Sequence, residues 1–211
     1  MGPGLRTLAI GAAGIAVGIG AVEICAPALA RQDAHVELAA LPLSGFAVSS
    51  FGATLLLGRG EGRPAPQLFL RGVVFVAAAF VLCAAAASLV SFTSVLIVAG
   101  AGFGTYNLAL LEMLDHVVPA ERSTEALTWI TSAEGIGLAA GSALAGTLAD
   151  SSIRSALLVV AAGPLAGALI TWMGRRSLVA QGPSTRSAYS LVNARSGSSS
   201  SRAAAKSSQR G

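Results

Sequence analysis

Residues 72–111 run without a single Asp, Glu, Lys, Arg or His. At ~1.5 Å per residue, one helix of that length would measure about 60 Å, twice the ~30 Å hydrocarbon core of a bilayer. The stretch therefore predicts two membrane-crossing helices with a turn near residues 88–91. Similar apolar runs stand on either side. Polar breaks divide the whole into six spans at about 7–30, 38–58, 68–87, 92–111, 126–149 and 155–173. No segment alternates apolar and polar positions as the strands of an outer-membrane barrel do. The expected fold class is an all-α membrane protein of six transmembrane helices.

Composition points the same way. Charged residues are 11% of the chain, hydrophobic residues 54%, and the mean hydropathy is +0.70. A soluble domain carries roughly 25% charged residues. Charge then gives the orientation. An even number of spans puts both termini on one side. That side receives Arg6, Arg59, Arg63, Arg71, Arg122, Arg175, Arg176, Arg186, Arg195, Arg202, Lys206 and Arg210, against Arg31 and Arg154 opposite. Positive charge is retained in the cytoplasm, so a cell-membrane location with both termini cytoplasmic is expected. The lipid bilayer is the expected partner of this basic chain. A basic helix with interleaved aromatics is missing, so nucleic acid is not expected.

The N-terminus admits a second reading. Arg6, the apolar run 8–22 and Ala28-Leu29-Ala30 resemble a secretory signal with an A-x-A cleavage site, which would leave five spans. Glu23 inside the would-be signal and an apolar length near that of a full span speak for a helix. At the other end, residues 174–211 hold seven basic residues and no acidic one, without apolar periodicity. Such a segment buries too little surface to offset its ordering entropy and reads as a disordered basic cytoplasmic tail.

Catalytic, metal and cofactor motifs find no support. Gly135-Ile-Gly137 and Gly100-Ala-Gly102-Phe-Gly104 approach a dinucleotide fingerprint, but lie inside apolar spans with no preceding strand. Read as Gly14-x-x-x-Gly18, Gly100-x-x-x-Gly104 and Gly137-x-x-x-Gly141, the same glycines predict close helix packing. His35 and His116 lack ligand spacing, and Cys25 and Cys83 read as small packing residues. No histidine lies in a span and no Gly-x-Ser-x-Gly occurs. No cofactor, no metal and no enzymatic activity are expected.

Polar residues within the spans carry the functional signal. Glu23 in the first span and Glu134 in the fifth are costly in lipid, and should face protein or a water-filled cavity. Either is a candidate proton carrier; the alternative is a protonated glutamate that only hydrogen-bonds a neighbouring helix. Residues 17–23, VGIGAVE, can be laid on residues 101–107, AGFGTYN, at an offset of 84. The two spans run oppositely through the membrane, as corresponding helices of an inverted 3+3 repeat do. The match singles out Glu23 and Asn107 as equivalent points, with Tyr106 adjacent. Glu23, Glu134, Asn107 and Tyr106 are the candidate substrate and proton pathway.

Residues 118–129, VPAERSTEALTW, continue through Gly135-Ile-Gly137, Gly141 to Gly146 and Asp150. They resemble the penultimate helix and preceding cytoplasmic loop of major facilitator superfamily transporters of the bacterial efflux type. The first span, with Glu23 and Pro27, is similar to that family's seventh helix. Gly58-Arg-Gly-Glu-Gly-Arg63 looks like a shortened copy of its basic loop motif, without the usual acidic residue. The resemblance covers about residues 5–173 and implies half of a twelve-helix transporter, a six-helix bundle built as a 3+3 inverted repeat. It also implies alternating-access transport of a small-molecule substrate, with proton-coupled efflux, from a truncated or half-size transporter. The missing cavity wall would come from a second six-helix half or from a homodimer. The alternative is a non-transporting membrane remnant, or an accessory subunit whose spans serve assembly.

Overall fold

The computed structural model describes residues 2–57, 65–175 and 178. All regular structure among them is helical: α1 (Pro3–Gln32), α2 (Leu41–Leu57), α3 (Ala65–Ala84), α4 (Leu89–Val117), α5 (Ser123–Ala149) and α6 (Ile153–Met173). Two short 3-10 turns, Val36–Leu38 and Ala120–Arg122, precede α2 and α5. The Gly58–Arg63 motif and the tail beyond residue 178 lie outside the described residues.

Helix ends follow local chemistry. α1 begins at Pro3, whose missing N–H costs nothing in a first turn. Residues 88–91, expected as a turn, are instead a helix start. Ser88 and Ser91 form a reciprocal capping box, so α3 stops at Ala84 and the connection is residues 85–88. α4 continues past the expected residue 111 to Val117. Val118 is extended, as a residue before proline prefers to be. The triplet Ala28-Leu29-Ala30 lies inside α1, with Leu29 and Ala30 buried.

Among the described residues five helical segments are long and apolar enough to cross a membrane: Pro3–Gln32, Val36–Leu56, Gln67–Ala84, Leu89–Asp115 and Ile153–Met173. They are compatible with a multi-pass membrane protein. α5 departs from the six-span expectation. Its 27 residues reach about 40 Å, ample for a crossing, yet it is not among the apolar set. Thr128, Thr131, Ser132, Glu134, Ser142 and Thr147 lower its apolarity. Thr128, Thr131, Ser132 and Thr147 are exposed on the chain as it stands.

α1 packs along α5 and α6, α4 packs along α2 and α3, and α3 meets α6. Leu8, Ile15, Phe80, Phe92, Leu96, Met113 and Val160 fill the core. The predicted glycine pairs sit at the crossings. Methyl groups at Gly137 and Gly141 would collide with the Ala13 and Val17 carbonyls of α1. Those at Gly100 and Gly104 would collide with the Phe46 and Ser50 carbonyls of α2. Backbones approach this closely only where no Cβ intervenes, which is how helices associate when hydrophobic collapse offers no force.

Two crossings share their details. Gly20 of α1 lies against the Leu138 carbonyl of α5, and its own carbonyl accepts a hydrogen bond from Ser142 Oγ at 3.1 Å. Gly104 of α4 lies against the Ser50 carbonyl of α2, and its carbonyl accepts from Thr54 Oγ1 at 3.4 Å. Two residues earlier on each helix, Gly18 faces Pro164 of α6 and Gly102 faces Phe75 of α3.

Candidate functional site

A cavity of about 330 Å³ opens between α1, α4 and α5. α1 contributes Ala12, Ile15, Ala16 and Ile19, a stripe at helical spacing. α4 contributes Phe103 and Asn107, one turn apart. α5 contributes Thr131, Glu134, Gly135 and Leu138. Small residues on α1 and Gly135 on α5 create the space; Glu134 and Asn107 give it polarity.

The two polar groups stand at one level. Asn107 lies about 15 Å from the end of α4 at Val117, and Glu134 about 17 Å from the start of α5 at Ser123. Both ends face the side of the N-terminus, because α5 runs parallel to α1, with Gly137 on Ala13 and Gly141 on Val17, and α4 ends where α5 begins. Both side chains are half-buried, and neither has a hydrogen-bond partner among the described residues. The Thr131 hydroxyl donates to the Leu127 carbonyl at 3.0 Å, leaving its oxygen as an acceptor toward the cavity. None of the lining residues is basic.

The four candidate residues separate. Asn107 and Glu134 share the cavity. Tyr106 is buried, 1% exposed, behind the wall formed by Phe103, whose ring centroid is 5.9 Å from its own. Its other aromatic neighbour is Phe69 at 5.6 Å, and its hydroxyl has no hydrogen-bond partner. Tyr106 is not among the residues that line the cavity. Glu23 lies four residues beyond Ile19, on the same stripe of α1 and one turn outside the cavity, with its side chain exposed.

Reading by residue type missed Thr131 and Phe103. A signal was present: Thr131 precedes Glu134 by three residues, and Phe103 precedes Asn107 by four, the spacings that share a helix face. Cys25 and Cys83 are buried free thiols. Among the described residues no three His, Cys, Asp or Glu side chains gather as a metal site would require. No protein-family model matches this chain, and no curated protein matches it.

Proposed function

We propose that this chain is a six-helix half of a solute transporter of the major facilitator type, and that the Glu134 cavity is one wall of its substrate path. The observation that carries the reading is the juxtaposition of Glu134 and Asn107 across one cavity of the helical bundle, both half-buried and without a hydrogen-bond partner among the described residues. An unpaired carboxylate within a membrane-spanning bundle is costly, and such groups mark substrate or ion pathways.

An inverted 3+3 repeat is supported by the paired crossings. Gly20 relates to Leu138 and Ser142 as Gly104 relates to Ser50 and Thr54. The offset is 84 residues between α1 and α4 and 88 between α2 and α5. Gly18 against Pro164 and Gly102 against Phe75 add α3 and α6 at an offset of 89. One operation thus relates the first three helices to the last three. It also accounts for Glu23 and Asn107, which occupy corresponding positions in oppositely directed helices.

The missing wall is supplied by a second six-helix half. The exposed hydroxyls of α5 and the exposed Glu23 would then face protein and cavity water instead of lipid. The basic bias of the sequence supports cytoplasmic termini. A single carboxylate, a phenyl ring and aliphatic walls favour a cationic, partly apolar solute. Binding of a monovalent cation at ionised Glu134 and binding of a proton there exclude one another. Each cation released on one side is replaced by one proton, which couples efflux to the proton gradient.

The test is flux. The purified chain, reconstituted in proteoliposomes with an imposed pH gradient, is assayed with labelled organic cations at densities giving monomers or cross-linkable pairs. Gradient-driven flux from paired chains and none from monomers is expected. Full flux from demonstrated monomers overturns the half-transporter reading. Absence of flux from paired chains, and with an added complementary half, would leave the chain an assembly subunit.

A further inference from the structure

A second opening, about 470 Å³, lies away from the Glu134 cavity in the gap between α2 and α3, with α4 as its floor. Its walls are apolar: Leu56 on α2, Leu68 and Phe75 on α3, Ala101 on α4. Leu56 and Phe75 are 73% and 47% exposed, so the groove is open to whatever surrounds the bundle. The Thr105 hydroxyl at its floor is turned back to the Ala101 carbonyl at 3.1 Å. The one charged group is Arg71, exposed, six residues into α3 and about 9 Å from that helix's start. No acidic side chain among the described residues pairs with it.

α5 and α6, which correspond to α2 and α3, pack directly on one another. Among the described residues α2 and α3 scarcely touch, and α2 has α4 as its only extensive neighbour. The same junction is closed in one half of the bundle and open in the other. The open one carries a guanidinium within about two turns of the start of α3.

We propose that this groove is a binding site for an anionic diacyl phospholipid, with an acyl chain between Phe75 and Leu56 and its phosphate on Arg71. The apolar walls match a hydrocarbon chain, and a guanidinium donates two parallel hydrogen bonds to phosphate oxygens. A net-negative headgroup is favoured over a zwitterionic one, because no carboxylate stands beside Arg71 to receive a headgroup amine. The bound lipid supplies α2 with the second contact that protein does not provide.

Lipid binding to the full chain is measured by native mass spectrometry from mild detergent, titrating phosphatidylglycerol or phosphatidylcholine of matched chains. Thermal unfolding is followed in the same samples. One phosphatidylglycerol retained per chain, with a raised midpoint, and weak retention of phosphatidylcholine are expected. Arg71→Gln should weaken phosphatidylglycerol retention about fivefold and abolish the preference. Arg71→Lys should retain part of it, and Arg6→Gln should leave it unchanged. Glycerol phosphate, which has the anion but no chain, should give no stabilisation. Equal retention of both lipids, an unchanged preference in Arg71→Gln, an equal loss in Arg6→Gln, or stabilisation by glycerol phosphate would each overturn the proposal.

Discussion

The Asp33 carboxylate, just past the end of α1, accepts a 2.7 Å hydrogen bond from the backbone N–H of Leu89, the first residue of α4. A carboxylate at a helix N-terminus satisfies an otherwise orphaned donor and meets the positive end of the helix dipole. The contact ties the α1–α2 connection to the start of α4 across 56 residues of sequence. Asp33→Ala is expected to lower stability by about 1 kcal/mol, and Asp33→Asn by less, since the amide oxygen still accepts. Thermal unfolding in detergent measures both, and an unchanged midpoint in Asp33→Ala would show the tether to be idle.

The glycines divide into those that hold crossings and those that do not. A methyl at Gly20 would meet the Leu138 backbone and one at Gly104 the Ser50 backbone, whereas one at Gly146 meets nothing within 4 Å. Backbone cannot swing aside as a flexible side chain can. Gly20→Ala and Gly104→Ala should each destabilise by about 1–3 kcal/mol through forced separation of helices. Gly146→Ala should be neutral or slightly stabilising, because alanine is the better helix former. Equal melting points for all three variants would remove the close-crossing account.

Much of this architecture is visible in the sequence, for physical reasons. Long uncharged runs have to be helices in lipid, and glycines four apart mark backbone contact, so spans and crossings could be read directly. The α3–α4 connection could not be placed by apolarity alone, since residues 85–91 are small or apolar throughout; the Ser88–Ser91 capping box decides it. α5 was legible as a helix, and its failure to reach the apolarity of the other five spans is itself written in Thr128, Thr131, Ser132 and Glu134. At the site, Glu134 and Asn107 were each identifiable as polar groups in apolar spans. Their proximity depends on which faces of α4 and α5 turn toward α1, and Gly137 and Gly141, pressed on the Ala13 and Val17 carbonyls, set that rotation.

The proposed orientation has a direct check. The expected six-span topology assigns twelve basic residues to the side of the termini and Arg31 and Arg154 to the other. Reporters fused after Gly174 and within the connection at residues 32–37 should report opposite sides of the membrane, the first cytoplasmic. The 32–37 connection joins the end of α1 to α2 and lies beside the start of α4, so all three share one end of the bundle. Finding both reporters on one side would exclude the six-span topology.

Glu134 and Glu23 should now behave differently. Glu134 lines the cavity beside Asn107, whereas Glu23 stands one turn beyond Ile19 on the same face of α1, nearer the C-terminal end of that helix. Glutamine keeps the size and hydrogen-bonding of glutamate but can neither hold a charge nor exchange a proton. In the assembled transporter, Glu134→Gln should insert and express normally, yet lose proton-driven cation flux by at least about tenfold, as removal of one ion-pairing partner in a site of low dielectric predicts. Its residual flux should no longer depend on pH across the range where the native protein does. Glu23→Gln should keep that pH dependence and raise the half-saturating substrate concentration from the outer side, because a carboxylate at the mouth concentrates cations without carrying the exchanged proton. Matching profiles in the two variants would place both acids in one proton-exchange site. Native flux and native pH dependence in Glu134→Gln would reduce that residue to a packing position and leave the cavity without its coupling group.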